Sequence, residues 1–419
     1  MLQTFVNIIL DGGFMQERIV LHVDVNNAFL SWTAVDMLNN GSKIDIRNIC
    51  SVIGGDESQR RGIVLAKSYP AKENGVVTAE TLYSARRKCP NLAVYSPDYK
   101  LYSKYSNMLY KYLSNYSPLI ERYSIDECFL DYTGCEKLFG NPVEVAYKIK
   151  EDIKNKFGFT VNVGVGNNKL CAKMASDFSK PDKVHTLFQN EIKDKMWPLN
   201  VADLFMIGKK TSLKLHELGI NTIYDLAHAD YQMLTRHFKS MAKMMIEYAN
   251  GIDNSKVEGE YDEPKSISAS TVLPFDYDNI NLIKPIIRNL TIDIGKRLRQ
   301  HNYYALVIGI SIKYSNFYKV SKQRKLNKAI SSDIDLYNIS LEIFNQLWNG
   351  EPIRHVAVFI SNFTLHNDIQ LSLFENSKTV TYDSKLQKVV DNLRNKFGND
   401  KIIYGDMAKK DKKTINSVL

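Results

Sequence analysis

Residues 123–134 read YSIDECFLDYTG, and they set two adjacent carboxylates, Asp126 and Glu127, against the apolar run Cys128-Phe129-Leu130. An unpaired carboxylate in apolar surroundings is costly, so a compensating cation must come from elsewhere. In a regular strand the two side chains would point to opposite faces, so their convergence requires a hairpin end or a local distortion. A second buried strand, "RIVLHVDV" (18–25), carries Asp24 about a hundred residues earlier. Carboxylates on neighbouring strands are the hard oxygen donors that Mg²⁺ prefers. Spacing alone leaves two readings open, metal ligation and a solvated strand edge of the kind Asp131 exemplifies.

Around these strands the pattern alternates. "AFLSWTAVDMLNNG" (28–41) reads as a helix closed by Gly41, "GIVLAK" (62–67) as a strand, and "TAETLYSARRKCP" (78–90) as a helix stopped by Pro90. Residues 99–118 space their tyrosines and leucines as a helical packing face. A helix over 141–158, the strand "TVNVGVG" (160–166) and the helix "NKLCAKMASDFSKP" (168–181) complete an α/β domain. Residues 198–250 are helical throughout, 253–265 form a polar linker broken by Pro264, and 266–364 return to strand–helix–strand patterning. The polar tail, 375–419, carries one amphipathic helix, "SKLQKVVDNLRNKFG". The fold class is a multidomain α/β (α+β) protein.

At 419 residues the chain exceeds one ordinary core, and 44% hydrophobic with 24% charged residues describes a folded globular protein. A formal charge of +9 suits a polyanionic partner. Five cysteines without a CxxC pair speak against a zinc site or disulfide framework and for a reducing, cytoplasmic setting. No stretch approaches the roughly 18 apolar residues of a membrane span. The apolar run Phe5–Leu10 has no Lys or Arg before it, unlike a signal peptide, and residues 1–14 read as a dispensable extension.

Phosphate donors stand in two segments: Tyr69 and Lys72 in "KSYPAKENG" (67–75), and Lys169, Lys173 and Lys180 in 168–181. The pair Gly164 and Gly166 matches no full phosphate-loop motif. From Lys296 to Lys328 the chain carries nine Lys and Arg with no Asp or Glu, interleaved with Tyr and Phe, as suits a surface tracking nucleic-acid phosphates. A tight turn at Ile207-Gly208 sits between helices, where backbone amides can cradle one phosphate. "QLSLF" (370–374) offers Leu371, Leu373 and Phe374 as anchors for a partner's pocket.

Together these residues resemble the Y-family, lesion-bypass DNA polymerases, in their DNA polymerase IV-like, SOS-repair bacterial branch, from about Ile19 to Phe374. "HVDVNNAF" is similar to the family's first metal motif, implying Asp24 as ligand and Val25 as a backbone-carbonyl ligand. "YSIDECFLD" is similar to the second, implying Asp126 and Glu127, so that the three carboxylates are catalytic and hold two Mg²⁺ ions. Phe29 falls at the steric-gate position that excludes a ribose 2′-OH. "SYPAKENG" resembles the nucleotide-clamping motif, implying Tyr69 and Lys72 on the triphosphate, with Lys72 where the family commonly has Arg. "NKLCAKMASDFSKP" resembles the helix whose last lysine, Lys180, contacts the triphosphate. "MIGKK" resembles a helix–hairpin–helix with Met206 in place of the usual first glycine, implying Gly208 and Lys209 on DNA. "VSKQRKL" resembles a strand of the domain that grips the template, implying Lys319, Lys322 and Arg324 on DNA. "QLSLF" resembles a sliding-clamp peptide, implying Gln370, Leu371, Leu373 and Phe374 in the clamp's β subunit.

The resemblance implies a right hand with palm (15–27 and 98–187), fingers (28–97), thumb (188–252) and little finger (266–369). The implied activity is template-directed addition of deoxynucleoside triphosphates to a primer 3′-OH by two-metal transfer, at low fidelity and without proofreading. The implied bearer is a cytoplasmic monomer with no membrane partner, working on primer-template DNA in repair. Two other readings remain: a clamp-tethered scaffold with a dead site, and a nucleotidyl cyclase-like palm enzyme. The three costly carboxylates speak against the first, and the basic stretch with the clamp-like peptide speaks against the second.

Overall fold

The computed structural model describes residues 18–259, 264–365 and parts of 386–402. The extension expected over residues 1–14 and the clamp-like peptide at 370–374 lie outside the described residues. The chain divides into two compact units, Met1–Gly55 with Val64–Asp262, and Asp56–Ile63 with Glu263–Leu419.

The first unit opens with β1 (Val20–Val25), buried along its whole length. Alternation sends Leu21, Val23 and Val25 into one core and leaves Val20, His22 and Asp24 on the opposite face. Helix α1 (Ala28–Asn39) leads to a small sheet of β2 (Ser51–Gly54), β3 (Val64–Lys67) and β4 (Ala93–Tyr95), ordered β3-β2-β4. Between its strands lie α2 (Tyr69–Glu73) and α3 (Leu82–Lys88), started by Ser68 and Thr81, whose hydroxyls accept from the amides of Ala71 and Ser84.

The chain then runs through α4 (Tyr99–Leu113), β5 (Ile120–Arg122), β6 (Glu127–Asp131), α5 (Pro142–Phe157), β7 (Val161–Gly166), α6 (Lys169–Asp177) and β8 (Val184–Leu187). The five-stranded sheet is ordered β5-β6-β1-β7-β8. Helices α4 and α5 cover one face over a core that includes Leu21, Leu130 and Val163. Helix α6 covers the other, and two glycines let it sit close. A Cβ on Gly164 would stand 2.0 Å from the Ala172 carbonyl oxygen, and one on Gly166 2.7 Å from Cys171 Cβ. The glycine pair of "VGVG" therefore makes room for a helix, not for a phosphate.

Leu170 and Met174 of α6 also join a helical core with α7 (Lys209–Glu217), α8 (Ile223–Ala227), α9 (Tyr231–Phe238) and α10 (Met241–Ala249). The start of the polar linker is packed. Val257 is buried against Val20, Phe129 and Ala172, the Ser255 carbonyl accepts from Arg18, and the Glu258 amide donates to Glu121.

The second unit is built from β9 (Ser266–Tyr277), α11 (Ile280–Gln300), β10 (Tyr304–Tyr314), β11 (Lys319–Ile330), α12 (Asp333–Leu347) and β12 (Ile353–Thr364). Its sheet is ordered β11-β10-β12-β9, with both helices packed on the face that carries Ile308, Ile310 and Ile312. Described tail residues in 386–397 are helical and bind this unit through charge. Arg299 reaches Asp391 at 2.6 Å, and the buried Asp333 accepts from Arg299 at 2.9 Å, Gln387 at 3.0 Å and Arg394 at 3.1 Å. Among the described residues, no helix is long and apolar enough to cross a membrane.

Candidate active site

Strand register brings the sequence-distant acids together. Asp24 pairs across β1–β6 with Glu127 and across β1–β7 with Asn162, which sets the three side chains in a row on the α6 face. Asp126 precedes β6 in the turn of the β5–β6 hairpin, where the Ser124 hydroxyl donates to its carboxylate at 2.6 Å. Its carbonyl accepts from the Val25 amide at 3.1 Å, which ties the turn to the end of β1. Asp126 and Glu127 converge because a hairpin end frees Asp126 from strand alternation.

Two lysines compensate the acids. Lys173 of α6 stands 2.6 Å from Glu127 and 3.5 Å from Asp24, and Lys180 stands 2.5 Å from Asp24. Burial raises the pKa of Asp126, and the charge on Asp24 adds to it, while Ser124 and Lys173 oppose it. Glu127 is also raised by burial; Lys173 works against the shift, and Asp24 and Asp126 reinforce it. Burial disfavours the charge on each lysine, yet the surrounding carboxylates outweigh it and hold both ammonium groups above their ordinary range. Asp177 stands 3.3 Å from Lys173 and 2.8 Å from Lys180, so four carboxylates face the two ammonium groups, an excess of negative charge in a half-dry pocket. His22 lies on the same face, with Nδ1 2.8 Å from Ser176 Oγ and Nε2 4.0 Å from Glu127. Burial, then the charges of Lys173 and Lys180, keep it neutral.

The other expected residues fall as follows. Phe29, in the first turn of α1, stacks on Tyr102 at 4.4 Å and meets Tyr99 edge-on at 6.0 Å. Tyr69 opens α2; burial raises its pKa and the nearby charge of Lys180 opposes the shift, which brings Tyr69 into the field of the same lysine. Lys72 is exposed on α2, and its charge adds to the burial that lowers Lys67. Lys169, expected among the phosphate donors, is instead held by both oxygens of Glu121 at 2.7 Å. Gly208 caps α7 and Lys209 is its first residue. Met206, standing in for glycine, adopts φ 72° and is 53% exposed.

In the second unit, β11 divides its cations by face. Lys319 pairs with Lys313, and Lys325 lies on the same open side, whereas Lys322 and Arg324 pair with the core residues Ile310 and Ile308. Arg324 lies at the rim of the helix-covered face and is bound to Glu342 of α12 at 2.7 Å.

Sequence reasoning passed over three residues here: His22, Asn26 and Asn162. Two of them carried a signal, since His22 and Asn162 are polar residues in apolar strands, as Glu127 is.

These features can be set beside known proteins. Residues 23–177 match the model of the impB/mucB/samB family, and residues 264–373 that of its C-terminal domain. The chain is 48% identical over 397 residues to DNA polymerase IV of Clostridium acetobutylicum, covering 94% of this chain and 100% of the relative. It is 32% identical over 399 residues to DNA polymerase IV 2 of Bacillus subtilis, covering 93% and 94%. Among solved structures, a Y-family DNA polymerase chimera of Dbh and Dpo4 superposes with a TM-score of 0.72 at 23% identity, covering 83% of this chain and 100% of that one. The fold is that of the Y-family DNA polymerases. The chain belongs to the impB/mucB/samB family.

Membership implies use of a divalent metal. Among the described residues, no group of three His, Cys, Asp or Glu side chains is arranged as placed to hold an ion. The chemistry of the donors nonetheless fits one. Asp24, Asp126 and Glu127 are hard oxygen ligands, and Lys173 and Lys180 supply part of the positive charge that such a cluster calls for.

Proposed function

We infer that this chain is a template-directed DNA polymerase of the translesion type, extending a primer 3′-hydroxyl with deoxynucleotides and releasing pyrophosphate. The observation that carries this reading is the direct pairing of Glu127 with Asp24, with Asp126 at the adjoining hairpin turn. Asp24, Asp126, Glu127 and the Val25 carbonyl would hold two Mg²⁺ ions. Such ions supply charge stabilisation to the phosphoryl oxygens and lower the pKa of the attacking hydroxyl.

The rest falls to the side chains. Lys180 and Tyr69 lie in one another's field and take the triphosphate oxygens, with Lys72 as a further point charge. Lys173, seated between Glu127 and Asp24, offsets the repulsion between the two carboxylates. Phe29, stiffened by its stack on Tyr102, blocks the ribose 2′-OH. The five-stranded sheet serves as palm, the three-stranded sheet as fingers, helices α7–α10 as thumb and the second unit as little finger. Gly208 and Lys209 hold one DNA phosphate, and Lys319, with Lys322 and Arg324 toward the rim, tracks others. "QLSLF" docks in a sliding clamp. The protein works as a cytoplasmic monomer on primer-template DNA.

The names of the relatives and the fold favour this reading over an inactive scaffold or a cyclase. Primer extension with and without Mg²⁺ tests it. The Asp126→Ala variant should lose extension at least about a hundredfold, the scale of several kcal/mol of lost charge stabilisation, with DNA binding retained. Full extension by that variant removes the site assignment.

A further inference from the structure

Asn162 is the third member of the row Glu127–Asp24–Asn162, and none of its surface reaches solvent. Its carboxamide is fully used. Nδ2 donates to the Ser176 carbonyl at 2.9 Å and the Ser179 carbonyl at 2.6 Å, and Oδ1 accepts from Asn26 Nδ2 at 3.1 Å and the Lys183 amide at 3.3 Å. Asn26, also buried, accepts from the Asp182 amide at 2.9 Å through its own Oδ1. The two side chains together grip the backbone at 176, 179, 182 and 183.

Only Lys180 and Pro181 lie between the contacts at 176 and 179 and those at 182 and 183. Lys180 reaches Asp24 at 2.5 Å with a side chain still 35% exposed. A lysine on an irregular segment would ordinarily sample many directions. Here the segment is stitched on both sides to the strands that carry Asp24 and its neighbour. An apolar residue at position 162 would fill the same space but take this partner from the Ser176 and Ser179 carbonyls and the Lys183 amide, so the polar side chain is what ties the segment down.

We propose that Asn162, with Asn26, is a positioning residue for the polymerase reaction: it fixes the backbone of 179–183 so that the Lys180 ammonium meets the incoming triphosphate above Asp24. This deepens the reading of Lys180 as a triphosphate ligand and rests on it. Neither asparagine touches the substrate; both act through the lysine. A neutral carboxamide suits the task, because a carboxylate at the position paired with Asp24 would add a further negative charge to the cluster.

The experiment is a double-mutant cycle on the full chain, read as nucleotide KM, kcat and primer-template Kd for the wild type, Asn162→Leu, Lys180→Ala and the double variant. Asn162→Leu should raise nucleotide KM about tenfold, the scale of one lost ordering contact, while primer-template Kd stays unchanged. In the Lys180→Ala background the same change should add little. Circular dichroism confirms folding, and if Asn162→Leu does not fold, Asn26→Ala carries the same cycle.

Two results overturn the inference while the role of Lys180 stands. One is an unchanged KM in Asn162→Leu when Lys180→Ala raises it. The other is a full additive loss in the double variant, which marks a general folding role. An unchanged KM in Lys180→Ala overturns the underlying assignment, and the inference falls with it.

Discussion

Consider Gly164→Ala, a change of one methyl group on the sheet beneath α6. The new Cβ would lie 2.0 Å from the Ala172 carbonyl oxygen and 2.5 Å from the Ser176 amide nitrogen. Both are backbone atoms, so no side chain can swing aside. Contact becomes ordinary at 3.4 Å, so the helix must lift by about 1.4 Å. Overpacking of this kind costs about 1–3 kcal/mol. The lift reaches the site because α6 carries Lys173, now 2.6 Å from Glu127. A shift of that size stretches the contact to about 4 Å, beyond hydrogen-bonding range. It also strains the bonds of Ser176 to His22 and Asn162. Denaturant unfolding should show the stability loss, and primer extension should fall about tenfold or more. An alanine variant within about 0.5 kcal/mol of wild type, the scatter of neutral changes, with full extension would refute the seating of α6 on Gly164.

Other perturbations test separate parts of the structure. Burial raises the pKa of Asp126 above its ordinary 3.8, so the folded state binds its proton more tightly than the unfolded state does. Stability from this group is therefore lost as pH rises through the two values, and Asp126→Asn should raise the metal-free melting temperature at neutral pH. That gain should shrink as pH falls toward 3.8; a gain independent of pH would contradict a buried charge. Phe29→Ala should admit ribonucleotides about tenfold or more readily, measured by competing rNTP and dNTP incorporation, and unchanged discrimination would remove its gate role. Met206→Gly should stabilise the fold by about 1 kcal/mol in chemical unfolding, because φ 72° strains any side chain there; a neutral or destabilising result would place the strain elsewhere. Arg394→Ala should destabilise the second unit by about 1–3 kcal/mol, since it strips one partner from the buried Asp333. Unchanged unfolding would show that the tail adds nothing to that unit.

The local features were legible in the chain itself. The apolar runs of "RIVLHVDV" and "YSIDECFLD" and the glycine and proline helix stops are set over a few residues, so the sequence states them directly. The acids announced themselves as charges out of place in apolar strands. What the chain could not state was which distant groups would meet. Lys169 and Lys173 are one helical turn apart and look equivalent, yet one is bound to Glu121 and the other to Glu127. Lys319 and Lys322 share a strand, but β10 register sends them to opposite faces.

The sequence alone therefore determined the longer elements, the three carboxylates and the family pattern they compose; it offered Lys173 and Lys180 as phosphate donors and did not show them as partners of the acids. Tertiary structure decided the row Glu127–Asp24–Asn162, the close seat of α6 on Gly164 and the packed linker around Val257. The physical reason is range. Backbone preference and alternation are settled between near neighbours. Strand register and the partner of each charge are settled by packing between segments a hundred residues apart, where a displacement of an ångström or two changes which contact is made.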